Sequence, residues 1–281
     1  MQEEWTTVIK PKTGWFDIHL KEIWNYRDLI YMFLKRNFTS SYKQTILGPL
    51  WFLIRPLMTS SMFTVVFGQI ARISTDGVPQ FLFYMAGNTA WSYFSACLTS
   101  TSSTFTGNAG LFGKVYFPRL ISPITTVIFA LLSFFIQVVL MIILMAFFTF
   151  VRGEAVYPNK WLLLVPLMVL QMAMLGLGLG IIISSLTTKY RDLSILVSFG
   201  VSLWMYATPI VYPMSQVPEF LHDIIKLNPM APIVNNFRYA FLGCGTPEIT
   251  SWLTSMAVTV VFLFFGVILF SRVEKTFLDT V

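Results

Sequence analysis

Five stretches of this chain run for 23 residues or more without one Asp, Glu, His, Lys or Arg: 77–113, 120–151, 161–188, 193–218 and 249–271. Crossing the hydrocarbon core takes about 20 predominantly apolar residues, so each stretch is long enough to hold a membrane helix. A sixth, 50–70, is also apolar but carries Arg55 within two turns of its start. There the side chain can snorkel to the interface or face protein. Composition agrees: 11% of the 281 residues are charged and 56% are hydrophobic, whereas an ordinary soluble domain is about 25% charged. Too few polar groups remain to cover a globular surface, and disorder requires the opposite balance. The expected fold is an all-α integral membrane protein with six transmembrane helices, near 50–70, 81–101, 121–150, 161–186, 193–213 and 251–271. The third is longer than the bilayer requires and must tilt or project.

Six spans place both termini on one side. That side carries 13 Lys and Arg, seven of them within residues 1–49; the other carries Arg72, Arg152, Lys160, Lys226 and Arg238. The positive-inside rule therefore predicts cytoplasmic termini, with 1–49 a cytoplasmic N-terminal segment and 50–281 the transmembrane domain. The N-terminal segment starts with Glu3 and Glu4 and has no early apolar run, so it does not read as a signal peptide. Residues 28–43 read as an amphipathic helix lying in the cytoplasmic interface, with Ile30, Phe33, Leu34 and Phe38 on one face and Lys35, Arg36 and Lys43 elsewhere. A helix packed on another cytoplasmic element would carry the same pattern. Residues 214–250 form a long exterior connection. In it Phe220, Leu221, Ile224 and Ile225 alternate with Glu219, His222, Asp223 and Lys226 at helical spacing, Pro229 and Pro232 interrupt, and an apolar run at 233–242 follows. Two short amphipathic, re-entrant helices are expected there.

The charge-free runs hold no titratable pair at depth, and His19 and His222 lie in flanking segments. A buried Ser–His pair, a paired-carboxylate site and a histidine metal site are unsupported. Cys97 and Cys244 stand 147 positions apart, with no metal-ligand spacing. Gly107, Gly113 and Lys114 only approximate a phosphate loop: five residues separate the glycines instead of four, and Val115 stands where Ser or Thr is needed. The chain is expected to be no enzyme and to bind no cofactor or metal itself; uphill movement would draw energy from a partner. Gly176, Gly180 and Ser184 recur every four residues and allow close helix approach, within the chain or against another subunit.

Four motifs follow one another along the chain. The first is Tyr42-Lys43-Gln44-Thr45-Ile46-Leu47-Gly48-Pro49-Leu50-Trp51, with Arg55-Pro56. The second is Asn108 and Lys114-Val115-Tyr116-Phe117-Pro118-Arg119, with Pro123. The third is Tyr190-Arg191-Asp192. The fourth is Thr208-Pro209-Ile210-Val211-Tyr212-Pro213, with Val217-Pro218, Asn228-Pro229 and Arg238. In this order the sequence resembles the membrane subunit of type-2 ABC exporters of polysaccharides, the O-antigen, teichoic-acid and capsule permeases, over nearly its whole length. That family often has Gln where Arg55 stands. The resemblance implies two copies around a central channel, two ABC ATPase subunits below that bind ATP and magnesium, and a lipid-linked glycan moved out of the cytoplasm.

It also implies roles. Tyr42, Lys43, Leu47, Gly48 and Arg55 would form the cytoplasmic approach to the first span. Lys114, Tyr116, Phe117, Pro118 and Arg119 would meet the ATPase, with Phe117 an exposed knob between two cations beside a proline corner and Gly107, Gly110 and Gly113 giving flexibility. Tyr190-Arg191-Asp192 would serve there too or cap the fifth span. Pro209, Pro213, Pro218, Asn228, Pro229 and Arg238 would form an exterior gate. Aromatic faces suit weak, repeated contact with sugar rings, and Phe63, Phe67, Trp91, Tyr93, Phe94, Trp204, Tyr206 and Tyr212 are the candidates for lining the channel. Such residues also face lipid or pack. Two other readings compete: a type-2 ABC permease for a drug or other lipid, and an intramembrane enzyme, which the absent deep carboxylates and histidines disfavour.

Overall fold

The computed structural model describes residues 20–43, 46–112, 114–115, 117–154, 156–187 and 192–280, and the side chains within them except 20–22, 42, 109 and 273–280. Every regular element among the described residues is helical. In chain order they are α1 (Leu20–Asn25), α2 (Arg27–Tyr42), α3 (Trp51–Phe63), α4 (Gln80–Ser102), α5 (Thr104–Phe112), α6 (Ile121–Arg152), α7 (Val165–Thr187), α8 (Leu193–Tyr206), α9 (Glu219–Leu227), α10 (Met230–Leu242) and α11 (Ile249–Thr280). A 3₁₀ turn at Gly48–Leu50 leads into α3, and a π-helical segment at Thr64–Ile70 prolongs it. Helices α6 and α10 each stop at a glycine in the left-handed region, Gly153 and Gly243, where a side chain would be strained.

Among the described residues, four helical stretches are long and apolar enough to cross a membrane: Gly48–Ile70, Ile121–Arg152, Lys160–Thr187 and Ile249–Arg272. Helix α4 matches them in length but not in hydropathy, because it carries Asn88, Thr89 and Ser92 among its aromatics. It lies at the centre of the bundle, packed by α3, α6, α7 and α10, and Leu82 to Ala86 have no exposed surface. A helix shielded by protein needs no lipid-compatible exterior.

Helix α7 sits between α4 and α11, and glycines open both of its faces. A Cβ on Gly176 would stand 2.6 Å from Cys97 Cβ, and one on Gly180 2.8 Å from the Leu98 carbonyl oxygen. On the other face Gly178 approaches the Leu263 backbone, and a Cβ on Gly266 would stand 2.6 Å from the Gly178 carbonyl oxygen. Ser184 Oγ accepts the Phe105 N–H at 3.3 Å. The Gly176–Gly180–Ser184 stripe is therefore used inside the chain rather than against a second subunit.

Two expectations need correction, and a third gains detail. Helix α8 ends at Tyr206, short of the expected 213. Pro209 lacks an N–H and disfavours helical backbone at Thr208, so the chain turns early, with the Thr208 N–H on the Met205 carbonyl. The 102–120 connection is not an open flexible loop: Gly107 and Gly110 lie inside α5, while Gly113 lies outside the described residues. Finally, α2 forms over the expected residues but packs on protein. Its Phe33 is buried with Phe105, Phe112, Phe117, Ile121, Ile181 and Phe270, and Phe33 meets Phe117 edge-on at 5.6 Å. Trp24, Tyr31 and Met32 remain exposed.

Candidate functional site

A cavity of about 650 Å³ opens between α3, α4 and α6. Its walls carry hydrogen-bonding side chains without carboxylates: Arg55 and Thr59 from α3, Asn88 and Ser92 from α4, Ser133 and Gln137 from α6. Tyr93 and Phe134, with ring centres 5.0 Å apart, supply aromatic surface. Gln137 donates to Ser133 Oγ at 3.2 Å, yet its buried carbonyl oxygen has no partner. Buried polar atoms are normally paired; this acceptor is an exception, with almost no accessible surface of its own. Gln171 on α7 behaves oppositely. It donates to Ser255 Oγ at 2.9 Å and accepts from Trp252 Nε1 at 2.7 Å, joining α7 to α11. One glutamine joins two helices; the other stands in the cavity wall with its oxygen unpaired. Asn88, Ser133 and Gln137 were not among the sequence-derived candidates, and the legible signal was a strong hydrogen-bonding residue inside a charge-free run.

Of the residues expected at the approach to the first span, only Arg55 lines this cavity, with its Cζ 5.9 Å from the Trp51 ring centre. Lys43 and Leu47 are exposed and Gly48 is buried; the Tyr42 side chain lies outside the description. The aromatics divide. Tyr93 is on the cavity wall. Phe94 has no exposed surface and Trp91 almost none; both pack against Trp204, at 5.2 and 6.1 Å between ring centres. In this conformation they pack in the core. Phe63 and Phe67 are half-buried and meet Tyr84. Tyr206 is exposed, and Tyr212 donates to its carbonyl at 3.2 Å.

The expected gate residues converge at the opposite end of the bundle from α2. Asn228, between α9 and α10, uses its whole amide: Oδ1 accepts from Trp204 Nε1 at 2.9 Å and the Met230 N–H at 3.0 Å, and Nδ2 donates to Thr208 Oγ1 at 2.8 Å and the Ala207 carbonyl at 3.2 Å. The Pro229 carbonyl accepts from Ser255 Oγ at 2.6 Å. Pro213 is buried, and exposed Pro218 precedes α9. Arg238, which its sequence position places in the exterior connection, is 2% exposed. Its Nη2 donates to the Pro209 and Ile210 carbonyls at 2.9 and 3.0 Å. Burial lowers its pKa to about 10, which leaves it charged at neutral pH.

The expected ATPase-contact loop also differs. Phe117 is 4% exposed and Arg119 8%. Phe117 is no exposed knob: Phe33 of α2 and Phe112 of α5 cover it, because the aromatic faces of two amphipathic helices need the same cover. Arg119 lies over the Phe112 ring at 5.6 Å. Lys114 and Val115 are exposed and Pro118 is buried. Tyr116, Tyr190 and Arg191 lie outside the described residues, and Asp192 starts α8 without a side-chain cap.

A helical bundle with long apolar helices and a polar cavity among them is the architecture of a multi-pass membrane protein. Residues 28–242 match the ABC-2 type transporter family, and the chain belongs to that family; it is a multi-pass protein of the inner membrane. It is 28% identical over 257 residues to the O-antigen export system permease protein RfbA of Klebsiella pneumoniae, covering 90% of this chain and 94% of that one. To RfbA of Myxococcus xanthus it is 27% identical, covering 93% and 98%. To the polysialic acid transport protein KpsM of Escherichia coli it is 24% identical, covering 83% and 89%. Membership makes it a transport permease subunit and implies association with an ABC ATPase.

Proposed function

We propose that this chain is the membrane-spanning permease of an ATP-driven exporter that moves a lipid-linked, O-antigen-like polysaccharide out of the cytoplasm. The observation that carries this reading is the likeness, over about nine-tenths of the chain, to permeases named for O-antigen export. The cavity agrees in chemistry. Its hydrogen-bonding wall, with Tyr93 and Phe134, suits a hydroxyl-rich chain held by many weak contacts. Arg55 would meet a phosphate of the lipid carrier.

In this reading α3, α4, α6, α7, α8 and α11 are the six spans, both termini are cytoplasmic, and residues 1–49 form a cytoplasmic segment on the transmembrane domain 50–281. Two copies enclose the channel. Two ATPase subunits bind ATP and magnesium and meet the surface around Lys114, and the cluster of Pro209, Asn228 and Arg238 closes the exterior end. Deleting the gene should remove the polysaccharide from the cell surface and accumulate it inside. Unchanged surface glycan, with no internal store, would overturn the proposal.

A further inference from the structure

A second cavity, of about 440 Å³, lies at the Arg238 end of the bundle, distinct from the one beside Gln137. It falls within the size class of small-ligand sites. Asp76, Ser215, His222, Asn235, Arg238 and Glu248 supply its polar wall. It adjoins a narrow cleft that shares Asn235, Thr246 and Glu248 with it and reaches Asn236.

Two buried side chains there have unmet hydrogen-bonding capacity. Asn236 has no exposed surface, and neither its Oδ1 nor its Nδ2 has a partner. The Nε of Arg238 is also unpaired. The amides of Asn228 and Gln171, by contrast, are paired on both their oxygen and their nitrogen. The Asn236 amide opens only onto the narrow cleft, whose volume of about 10 Å³ admits no more than one small group, so the unmet capacity facing the larger cavity is that of Arg238.

The charges select the ligand class. An anion would meet the Asp76 and Glu248 carboxylates. A cation would meet Arg238, and no three of His, Cys, Asp and Glu converge as a metal set among the described residues. Lys226 faces Glu248 at 3.9 Å, and Asp76 accepts from Ser215 Oγ at 2.8 Å. Opposed charges in one wall suit a neutral ligand with paired donors and acceptors. Hydroxyls are such groups, and carboxylates and guanidinium bind them with charge-assisted hydrogen bonds.

We infer that this cavity binds a neutral sugar residue of the exported chain at the outlet of the pathway. The inference rests on the polysaccharide-export reading above and adds a specific exit site to it. Arg238 anchors the site's floor to the Pro209–Ile210 turn, so occupancy of the site bears directly on the segment that ends α8.

The test uses the full chain in lipid nanodiscs with its ATPase. The probe is the neutral fraction of di- to tetrasaccharides released by mild acid from the cell's own surface polysaccharide, with sodium phosphate as the anionic comparison. Binding is followed by saturation-transfer NMR and calorimetry. Thr246→Trp fills the mouth, and the double variant Asp76→Asn, Glu248→Gln removes both carboxylates; all three residues are exposed, so folding is preserved. The expected result is oligosaccharide binding by the unaltered protein, weakened at least tenfold in both variants and not displaced by phosphate. Equal binding in the variants, displacement by phosphate, or no oligosaccharide binding overturns the site. Loss of surface glycan on gene deletion, together with any of those results, rejects the exit site while leaving the export reading standing. Surface glycan that survives deletion removes both.

Discussion

Arg238 holds its guanidinium carbon 3.7 Å from the centre of the Phe83 ring, while the same group donates to the Pro209 and Ile210 carbonyls. One buried side chain thus joins α10, the core of α4 and the turn after α8. Gly87 makes room for it: a Cβ there would lie 2.8 Å from Arg238 Nη2 and 3.2 Å from the Ile210 carbonyl. Arg238→Met should leave two buried acceptors unpaired, at roughly 1–3 kcal/mol each, and Gly87→Ala should displace the guanidinium. Both variants should lose thermal stability in detergent, and the double variant should lose much less than the sum because the two act on one contact. Additive losses would mean that Gly87 does not position Arg238.

Gln137 and Gln171 separate a cavity role from a packing role. Gln137→Leu removes a cavity-wall amide whose oxygen is unpaired and whose nitrogen donates to Ser133 Oγ, so stability should fall by no more than about 1 kcal/mol while export falls several-fold. Gln171→Leu unpairs Trp252 Nε1 and a hydrogen bond to Ser255, at about 1–3 kcal/mol for an orphaned buried group. It should reduce folded protein in the membrane, with export per folded molecule unchanged. Thermal melting alongside an export assay checks both. A Gln137→Leu protein that exports normally would remove this cavity from the pathway.

These contrasts mark what the sequence could and could not reveal. Helices α6, α7 and α11 were legible because lipid contact demands long charge-free runs, and theirs are unbroken. The break near Pro209 was legible, but not its reach back to Tyr206, since turn geometry at Ala207–Thr208 decides it. Burial of Arg238 was hidden for a different reason. Its partners are main-chain carbonyls and a phenyl face, and neither leaves a complementary charge in the sequence. Burial of Phe117 is not legible locally because part of its cover, Phe33 of α2, lies some 80 positions earlier.

The orientation proposed here predicts a labelling pattern. Single cysteines at Ser74 and Glu219 should react from outside intact cells with an impermeant maleimide, and one at Thr276 should not. Native Cys244 should contribute little background. It is buried, and that burial pushes its thiol pKa up to about 11. The thiolate is the reactive form, so its rate at pH 7.5 should be low and should keep rising through pH 10, where an ordinary thiol has already levelled off. Labelling at Thr276 but not at Ser74 would reverse the orientation.

Burial of Phe117 changes what the loop before α6 should do. Phe117 and Phe33 meet edge-on in a cluster that also takes in Phe105 and Phe270. Truncating a buried phenyl ring typically costs about 3–5 kcal/mol. Phe117→Ala should therefore loosen α2 from the bundle and lower thermal stability before it affects any ATPase contact. Lys114 differs: it is exposed, and Val115 beside it is an exposed apolar residue. Lys114→Glu should leave the melting temperature unchanged but weaken ATPase retention or separate hydrolysis from export, because reversing a rim charge acts on docking rather than on the fold. Reconstituted complex, assayed for glycan export beside ATP hydrolysis, distinguishes the two effects. If Phe117→Ala kept full stability and lost only coupling, the ring would have to leave its cluster and contact the ATPase. If Lys114→Glu preserved both ATPase retention and coupled export, the drive would enter elsewhere, with the exposed face of α2 around Tyr31 and Met32 the next surface to alter.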